Sequence, residues 1–359
     1  MKKILNIGMV GCGEISLENL GAIQHAGNGQ VTIAMDPNEE LVTSFAAQAG
    51  CRVTGHFEEV LEAEDVEAVC FCTPHDLHAS QGIQAAEYGK HIIMEKPLAT
   101  TLEAARDLLQ ACAQNNVELS VPYIYRYHEN IIKARELVRS DAIGKIVAIE
   151  IHWIGDKPDG YWMTGFTGRG GKSGWRKSKE RSGGGVLMMN CSHFFDYIEF
   201  ITGFTPVEYA AIYDTFLTEV EVEDYFVGVL RYDNGALCSV LAGSKMIGGR
   251  YSGEQRGTRF YGEFGQIVIG DKGPLLMFST KGATDGVGGE WQEVCPTMSL
   301  ESAYGRQTPD TPRSRYMRDF AAAILEGREP PITGESAYRS LETVVRLYES
   351  GIHGGPGSR

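Results

Sequence analysis

The first third of the chain carries its hydrophobic residues in short unbroken runs. Residues 4–10, 31–35, 68–72 and 91–94 are mostly apolar, as suits strands buried on both faces, and residues 117–121 close the series. Between them lie stretches with helical character at 15–26, 41–49 and 81–88. Thr100, Thr101, Leu102 and Glu103 read as a capping box that opens another helix to about residue 114. Strands alternating with helices predict a parallel sheet covered on both faces, with ligands beyond the strand C-termini.

The pattern changes after residue 122. Runs at 144–154, 225–232, 236–241 and 259–269 are β-rich and broken by glycines. Helical spacing appears at 131–138. It returns at Leu341, Val344, Val345 and Tyr348, which fall at i, i+3, i+4 and i+7. We therefore expect an α/β domain over 1–122 and an α+β domain over 123–359. Residues 165–185 are the most irregular stretch, and no internal repeat is present.

Composition and charge narrow the classes. The 359 residues include 33 Lys and Arg against 47 Asp and Glu, a formal charge of −14. An acidic surface repels phosphate backbones, which argues against nucleic acid as the main partner. The eight cysteines form no CxxC pair and no zinc-ligand cluster, so no metal is expected and the thiols read as reduced. No apolar run is long enough to span a bilayer, so no membrane partner is expected. The start through Gly11 and Cys12 has a superficial likeness to a lipoprotein signal, but Asn6 and Gly8 interrupt its short apolar stretch. A cytoplasmic location is expected.

The candidate chemistry begins at the first strand. Gly11, Gly13 and Ser16 form a GxGxxG-like turn that leads into a helix. Gly11 allows the tight turn. Gly13 lets a pyrophosphate approach the helix N-terminus, at the amides of Glu14 and Ile15. Asp36 ends the second strand, where an acid binds the adenine ribose hydroxyls and repels a 2′-phosphate. This favours NAD over NADP. The plainer reading is that Asp36, Pro37 and Asn38 only form a turn capping the next helix.

Five segments in order then resemble the Gfo/Idh/MocA family, the glucose–fructose oxidoreductase and inositol dehydrogenase group. They are residues 7–13, the Thr73-Pro74 to His78-Ala79 segment, Glu95-Lys96-Pro97, Gly183-Gly184-Gly185 through His193 to Asp196, and the C-terminal residues 320–337. The resemblance implies a Rossmann domain followed by a large, mostly antiparallel open-faced sheet. That face would pack against another subunit in a homo-oligomer, a dimer or tetramer. The C-terminal helices would pack back toward the first domain.

The resemblance also implies NAD-dependent hydride transfer at a secondary hydroxyl or keto group of a sugar, inositol or related polyol. The alternatives are an NAD-dependent glycoside hydrolase using transient oxidation, or a non-catalytic cofactor-binding regulator. Carried over by position, Lys96 and His193 are the catalytic pair. Glu95, Lys96 itself, Thr73, Pro74 and His78 belong with the cofactor, and the Lys96–Pro97 bond is a candidate cis peptide. Many members place an aspartate four residues before the histidine. Here that residue is Met189, which leaves Asn190 as the nearest polar substitute, able to bind a hydroxyl but not to act as a base. Asp196 either orients His193 or is structural.

Tyr123, Tyr125, Arg126 and Tyr127 follow the last predicted Rossmann strand. Together with Tyr161, Trp162 and Trp175 they suit either a polyhydroxylated ring or packing. Arg126, Tyr127, Tyr161 and Trp175 are the substrate-binding candidates among them. His75 either reaches substrate or faces solvent. The basic residues Arg169, Lys172, Arg176, Lys177, Lys179 and Arg181 attract a substrate anion or form a solvated loop or subunit contact.

Overall fold

A computed structural model describes residues 3–169, 173–248, 257–270, 273–281, 289–296 and 310–353. The chain opens β1 (Leu5–Val10), α1 (Glu14–Ala26), β2 (Gly29–Met35), α2 (Glu39–Ala49), β3 (Arg52–Thr54), α3 (Phe57–Glu62) and β4 (Ala68–Phe71). It continues α4 (His78–Glu87), β5 (His91–Met94), α5 (Leu102–Asn115), β6 (Leu119–Ser120), α6 (Glu129–Arg139), β7 (Ile146–Ile154), α7 (Tyr161–Thr164) and α8 (Lys179–Ser182). Then come α9 (Ser192–Thr202), β8 (Pro206–Asp214), β9 (Tyr225–Tyr232), β10 (Leu237–Gly243), β11 (Gly257–Gly262) and β12 (Gly265–Gly270). The last elements are β13 (Leu275–Ser279), β14 (Gln292–Cys295), α10 (Pro312–Glu326), α11 (Gly334–Glu349) and β15 (Gly351–His353).

These elements form two compact units. One comprises residues 1–124, 160–183 and 303–341; the other comprises 125–159, 184–302 and 342–359. Where the sequence reading places a single division between 122 and 123, the contacts place the stretch 160–183 and helix α10 with the first unit.

The first unit is built on a parallel sheet of order β3-β2-β1-β4-β5-β6, the doubly wound arrangement. Leu5, Met9, Val10, Cys70, Phe71, Ile92, Ile93 and Met94 are fully buried, which is why these strands read as unbroken apolar runs. Each buried Leu, Ile, Phe or Met side chain contributes about 1.5–3 kcal/mol. Helix α10 packs on α1, β1 and β2.

Some boundaries shift. The run 117–121 narrows to the two residues of β6, an edge strand paired with β5 on one side. Its other side meets Thr333 through a bridge at Ser120. The cap of α5 is Thr101, whose hydroxyl accepts from the Ala104 amide at 3.2 Å. The expected box from Thr100 to Glu103 is therefore displaced by one residue. Glu103 instead sits in the first turn, where its charge complements the helix dipole. Helix α4 starts at His78 rather than 81, because the turn His75–Leu77 runs straight into it.

The second unit carries a nine-stranded sheet of order β14-β13-β12-β11-β7-β10-β9-β8-β15. It is mostly antiparallel; β7–β10 and β8–β15 are the parallel pairs. The run 259–269 resolves into two strands that turn at Glu263 and Phe264. In β9 the side chains alternate, with Phe226, Leu230 and Tyr232 buried and Val227 and Val229 exposed. Helices α6 and α9 pack together, and α6 reaches β12 and β14. Val147, Val207, Ile212, Val227, Val229 and Leu237 remain exposed on strands of this sheet. Among the described residues no helix is long and apolar enough to cross a membrane.

Candidate active site

In the first unit, the C-terminal edge of the sheet collects the predicted cofactor residues. Gly11 follows β1 with φ 87°, and its amide donates to the Met35 carbonyl at 2.9 Å. A Cβ there would sit 2.8 Å from the Cys72 backbone. Gly13 caps α1 at an ordinary φ of −72°, and a Cβ there would meet nothing within 4 Å. The first glycine is thus required by the fold, whereas the second keeps open the space before the unsatisfied amides of α1. Asp36 is half-buried at the end of β2. One carboxylate oxygen accepts from the Cys12 amide at 2.8 Å and the other from the Asn38 amide at 2.9 Å. The acid therefore braces the glycine turn. These residues fit a dinucleotide.

The contrast between the two glycines is testable. Gly11→Ala should destabilise the fold by at least about 1–2 kcal/mol, because the backbone conformation is left-handed. Gly13→Ala should leave thermal unfolding unchanged and weaken NADH binding about tenfold or more in a fluorescence titration, a 1.4 kcal/mol effect. Equal NADH affinity in Gly13→Ala and the wild type would exclude the pyrophosphate reading of that space.

The segment after β5 has two roles. Lys96 is half-buried and precedes Pro97 through a cis peptide bond. Glu95 turns the opposite way into the protein. Its carboxylate accepts from Arg313 at 2.9 Å and from Asn19 at 3.1 Å, while its other oxygen accepts from the Lys96 amide at 3.2 Å. Glu95 thus anchors the strand end to α1 and α10. Thr73 donates to Gln81 at 2.9 Å and Pro74 leads into the His75–Leu77 turn. His78 is fully buried, with its ring nitrogens 2.7 Å from the Pro97 carbonyl and 3.0 Å from that of Thr73. It ties the Thr73 segment to the Lys96 segment, and burial lowers its pKa.

The stretch 160–183 folds onto this edge. The Glu14 carboxylate accepts from the Phe166 amide at 3.1 Å and the Thr167 hydroxyl at 2.6 Å, and also from the Thr167 amide. Arg169 donates to the Cys12 carbonyl, the Leu41 carbonyl and the Ser44 hydroxyl. His75 is buried rather than solvent-facing. Its Nδ1 lies 2.8 Å from the Ser182 carbonyl, and its ring meets Trp175 edge-on at 4.4 Å. Burial, with His78 and then Lys96 contributing, holds its pKa well below the ordinary imidazole range. Tyr161 and Trp162 are buried and pack edge-to-face. Arg176 lies over both Tyr161 and Trp175, and Arg181 pairs with Asp76 at 3.2 Å. Arg169, Arg176 and Arg181 of the basic stretch are therefore engaged within their own unit; Lys172 lies outside the described residues.

In the second unit, Leu187–Cys191 forms a π-helical turn that leads into α9. His193 is in the first turn of α9, largely buried, and its ring stacks on Tyr125 at 4.7 Å. Asn190 is half-buried and accepts from the Lys157 ammonium at 2.8 Å. Asp196 is fully buried against Arg126, which donates to both of its oxygens at 2.6 to 3.1 Å. The Arg126 guanidinium also lies over Phe200. Arg126 and Asp196 thus form a helix-anchoring pair, with Tyr127 half-buried in the adjoining turn. Glu223 holds the glycine segment: it accepts from the Gly185 amide at 2.8 Å, the Leu187 amide at 2.9 Å and the Tyr348 hydroxyl at 2.7 Å. Burial raises its pKa while those donors pull it down.

Residues 5–123 match the oxidoreductase family with an NAD-binding Rossmann fold, GFO_IDH_MocA, and residues 131–268 match the C-terminal domain of the same family. The chain belongs to the Gfo/Idh/MocA family. It is 27% identical over 355 residues to a 1,5-anhydro-D-fructose reductase of Ensifer adhaerens, covering 97% of this chain and 96% of that protein. It is 24% identical to a D-xylose 1-dehydrogenase (NADP(+)) of Haloferax volcanii, with 96% of each covered. A levoglucosan dehydrogenase solved with NADH shares the fold, with a TM-score of 0.81 at 23% identity and 97% of each chain covered. Among the described residues no cluster of His, Cys, Asp and Glu is arranged to hold a metal ion.

Within this Gfo/Idh/MocA chain, sequence reasoning missed Arg313, Glu223 and Lys157. Each acts across a long separation: Arg313 on Glu95, Glu223 on Gly185 and Lys157 on Asn190. Lys157 sits in the charged run Asp156-Lys157-Pro158-Asp159, which reads as a solvated turn. Its burial at 3% exposure has no local signal.

Proposed function

We propose that this protein transfers hydride between NAD and a secondary hydroxyl or keto group of a sugar, inositol or related polyol. The observation that carries the reading is the placement of Lys96 after β5, at the same strand edge as the open Gly13 turn and Asp36. NAD supplies the hydride acceptor or donor when bound. As the family pattern carries over, Lys96 hydrogen-bonds the reacting oxygen and His193 takes or returns the proton. Asn190 binds a neighbouring substrate oxygen, since an amide does not act as a base. The carboxylate of Asp36 favours NAD over NADP.

The test is absorbance of reduced nicotinamide with purified protein, NAD or NADP, and a panel of sugars, inositols and sugar acids. Substrate-dependent NADH formation supports the reading. Cofactor that stays bound without net turnover, together with cleavage of a glycoside, would replace it with the hydrolase reading.

The exposed valines and leucine of the second sheet support a homo-oligomer that buries this face. An aspartate at Val229 should then lower the mass seen by light scattering after gel filtration; an unchanged mass places the contact elsewhere. All eight cysteines are unpaired and most are buried, which supports a reducing, cytoplasmic location.

A further inference from the structure

The second unit holds a lysine that the chemistry above does not use. Lys157 follows β7, and its side chain is withdrawn from solvent. Its amide donates to the Ser244 carbonyl at 2.8 Å, which fixes the backbone from which the side chain extends. The ammonium lies 5.6 Å from the Trp153 ring centroid and donates to Asn190 Oδ1 at 2.8 Å. The neighbouring acids Asp156 and Asp159 both approach Lys245, at 3.9 and 2.8 Å.

An ammonium only donates, so it decides which way the Asn190 amide faces. Oδ1 faces Lys157, which leaves the Nδ2 group as the remaining hydrogen-bonding group of this half-buried side chain. We propose that Lys157 is a positioning and specificity residue that makes Asn190 an obligate hydrogen-bond donor, selecting substrates with a proton-free acceptor oxygen at this subsite. A carboxylate is the acceptor that gains most. It accepts from the amide and also lies in the field of a buried positive charge one hydrogen bond behind it. The substrate class is then a sugar acid rather than a neutral polyol. This rests on the proposed function and adds the chemistry next to the reacting centre.

The test compares matched neutral sugars and sugar acids, D-glucose against D-gluconate and D-glucuronate. Binding to the protein–NADH complex is followed by NADH fluorescence, and KM and kcat are measured wherever turnover occurs. The wild type should favour the acid at least tenfold. Lys157→Met should bring that ratio near one through KM, with kcat changed less than threefold and NADH affinity within twofold. Lys157→Arg should restore most of the preference. Should Lys157→Met fail to fold, Asn190→Asp at its half-exposed position makes the same test, since it replaces the donor with a carboxylate and should reverse the preference. A Lys157→Met protein that folds and keeps the wild-type ratio overturns the proposal. Turnover of neutral sugars with no acid preference overturns it while leaving the proposed function intact. Binding of neither class to a protein that still binds NADH overturns the sugar-acid proposal, and silence across the inositols as well overturns the proposed function.

Discussion

Replacing Lys96 with methionine should lower kcat by about 10²–10³-fold, the range for loss of a donor aimed at the reacting oxygen. Methionine keeps the length of the side chain and removes only its donor and charge. Lys96 is half-buried, so a side chain of similar length fills the same space. NADH affinity, read by fluorescence, should stay within about threefold, because the pyrophosphate space lies at Gly13. Loss of turnover with intact NADH binding assigns Lys96 to the reacting oxygen. A variant that keeps activity within a few-fold removes Lys96 from the chemistry.

Arg313→Met should produce the largest loss of stability, about 3–5 kcal/mol, because it leaves the Glu95 carboxylate buried without its cation. Both side chains are 8% exposed, so water does not replace the lost guanidinium. Asn19 and the Lys96 amide remain as partners but bring no charge. The measurement is the urea midpoint at constant slope. The double variant Glu95→Met with Arg313→Met should regain much of that loss, since a buried ion pair is often replaceable by apolar side chains of similar volume. If the single variant loses less than about 1 kcal/mol, the pair is not the anchor described above. The same variants separate anchoring from chemistry: the double variant should recover stability more fully than kcat, because the backbone before Lys96 has lost its tether.

The first sheet was legible because its strands are buried on both faces and its turns carry glycine and capping residues that act over two or three positions. The second was legible as β structure but not in order. β7 pairs with β10 and β11, and β15 with β8, and no local pattern encodes partners so far apart. The candidate site divides the same way. Gly11, Gly13, Asp36 and Lys96 are found by spacing from a strand end. Arg126 shows what spacing misses: its following-strand position suits a sugar, yet its guanidinium is committed to Asp196 seventy residues later. Glu95 is a similar case. Its motif points to the cofactor, while its carboxylate faces Asn19 and Arg313.

The pairing of Glu95 with Arg313 also bears on how the chain is made. The two residues are 218 positions apart. At ordinary elongation rates Glu95 leaves the ribosome roughly 10–40 s before its counter-ion. Every strand of the first sheet is by then available, yet α10 is still unsynthesised. The nascent first unit therefore carries all its sheet strands with the Glu95 carboxylate, at the end of β5, still without its cation, and the pair closes only on the last part of the chain.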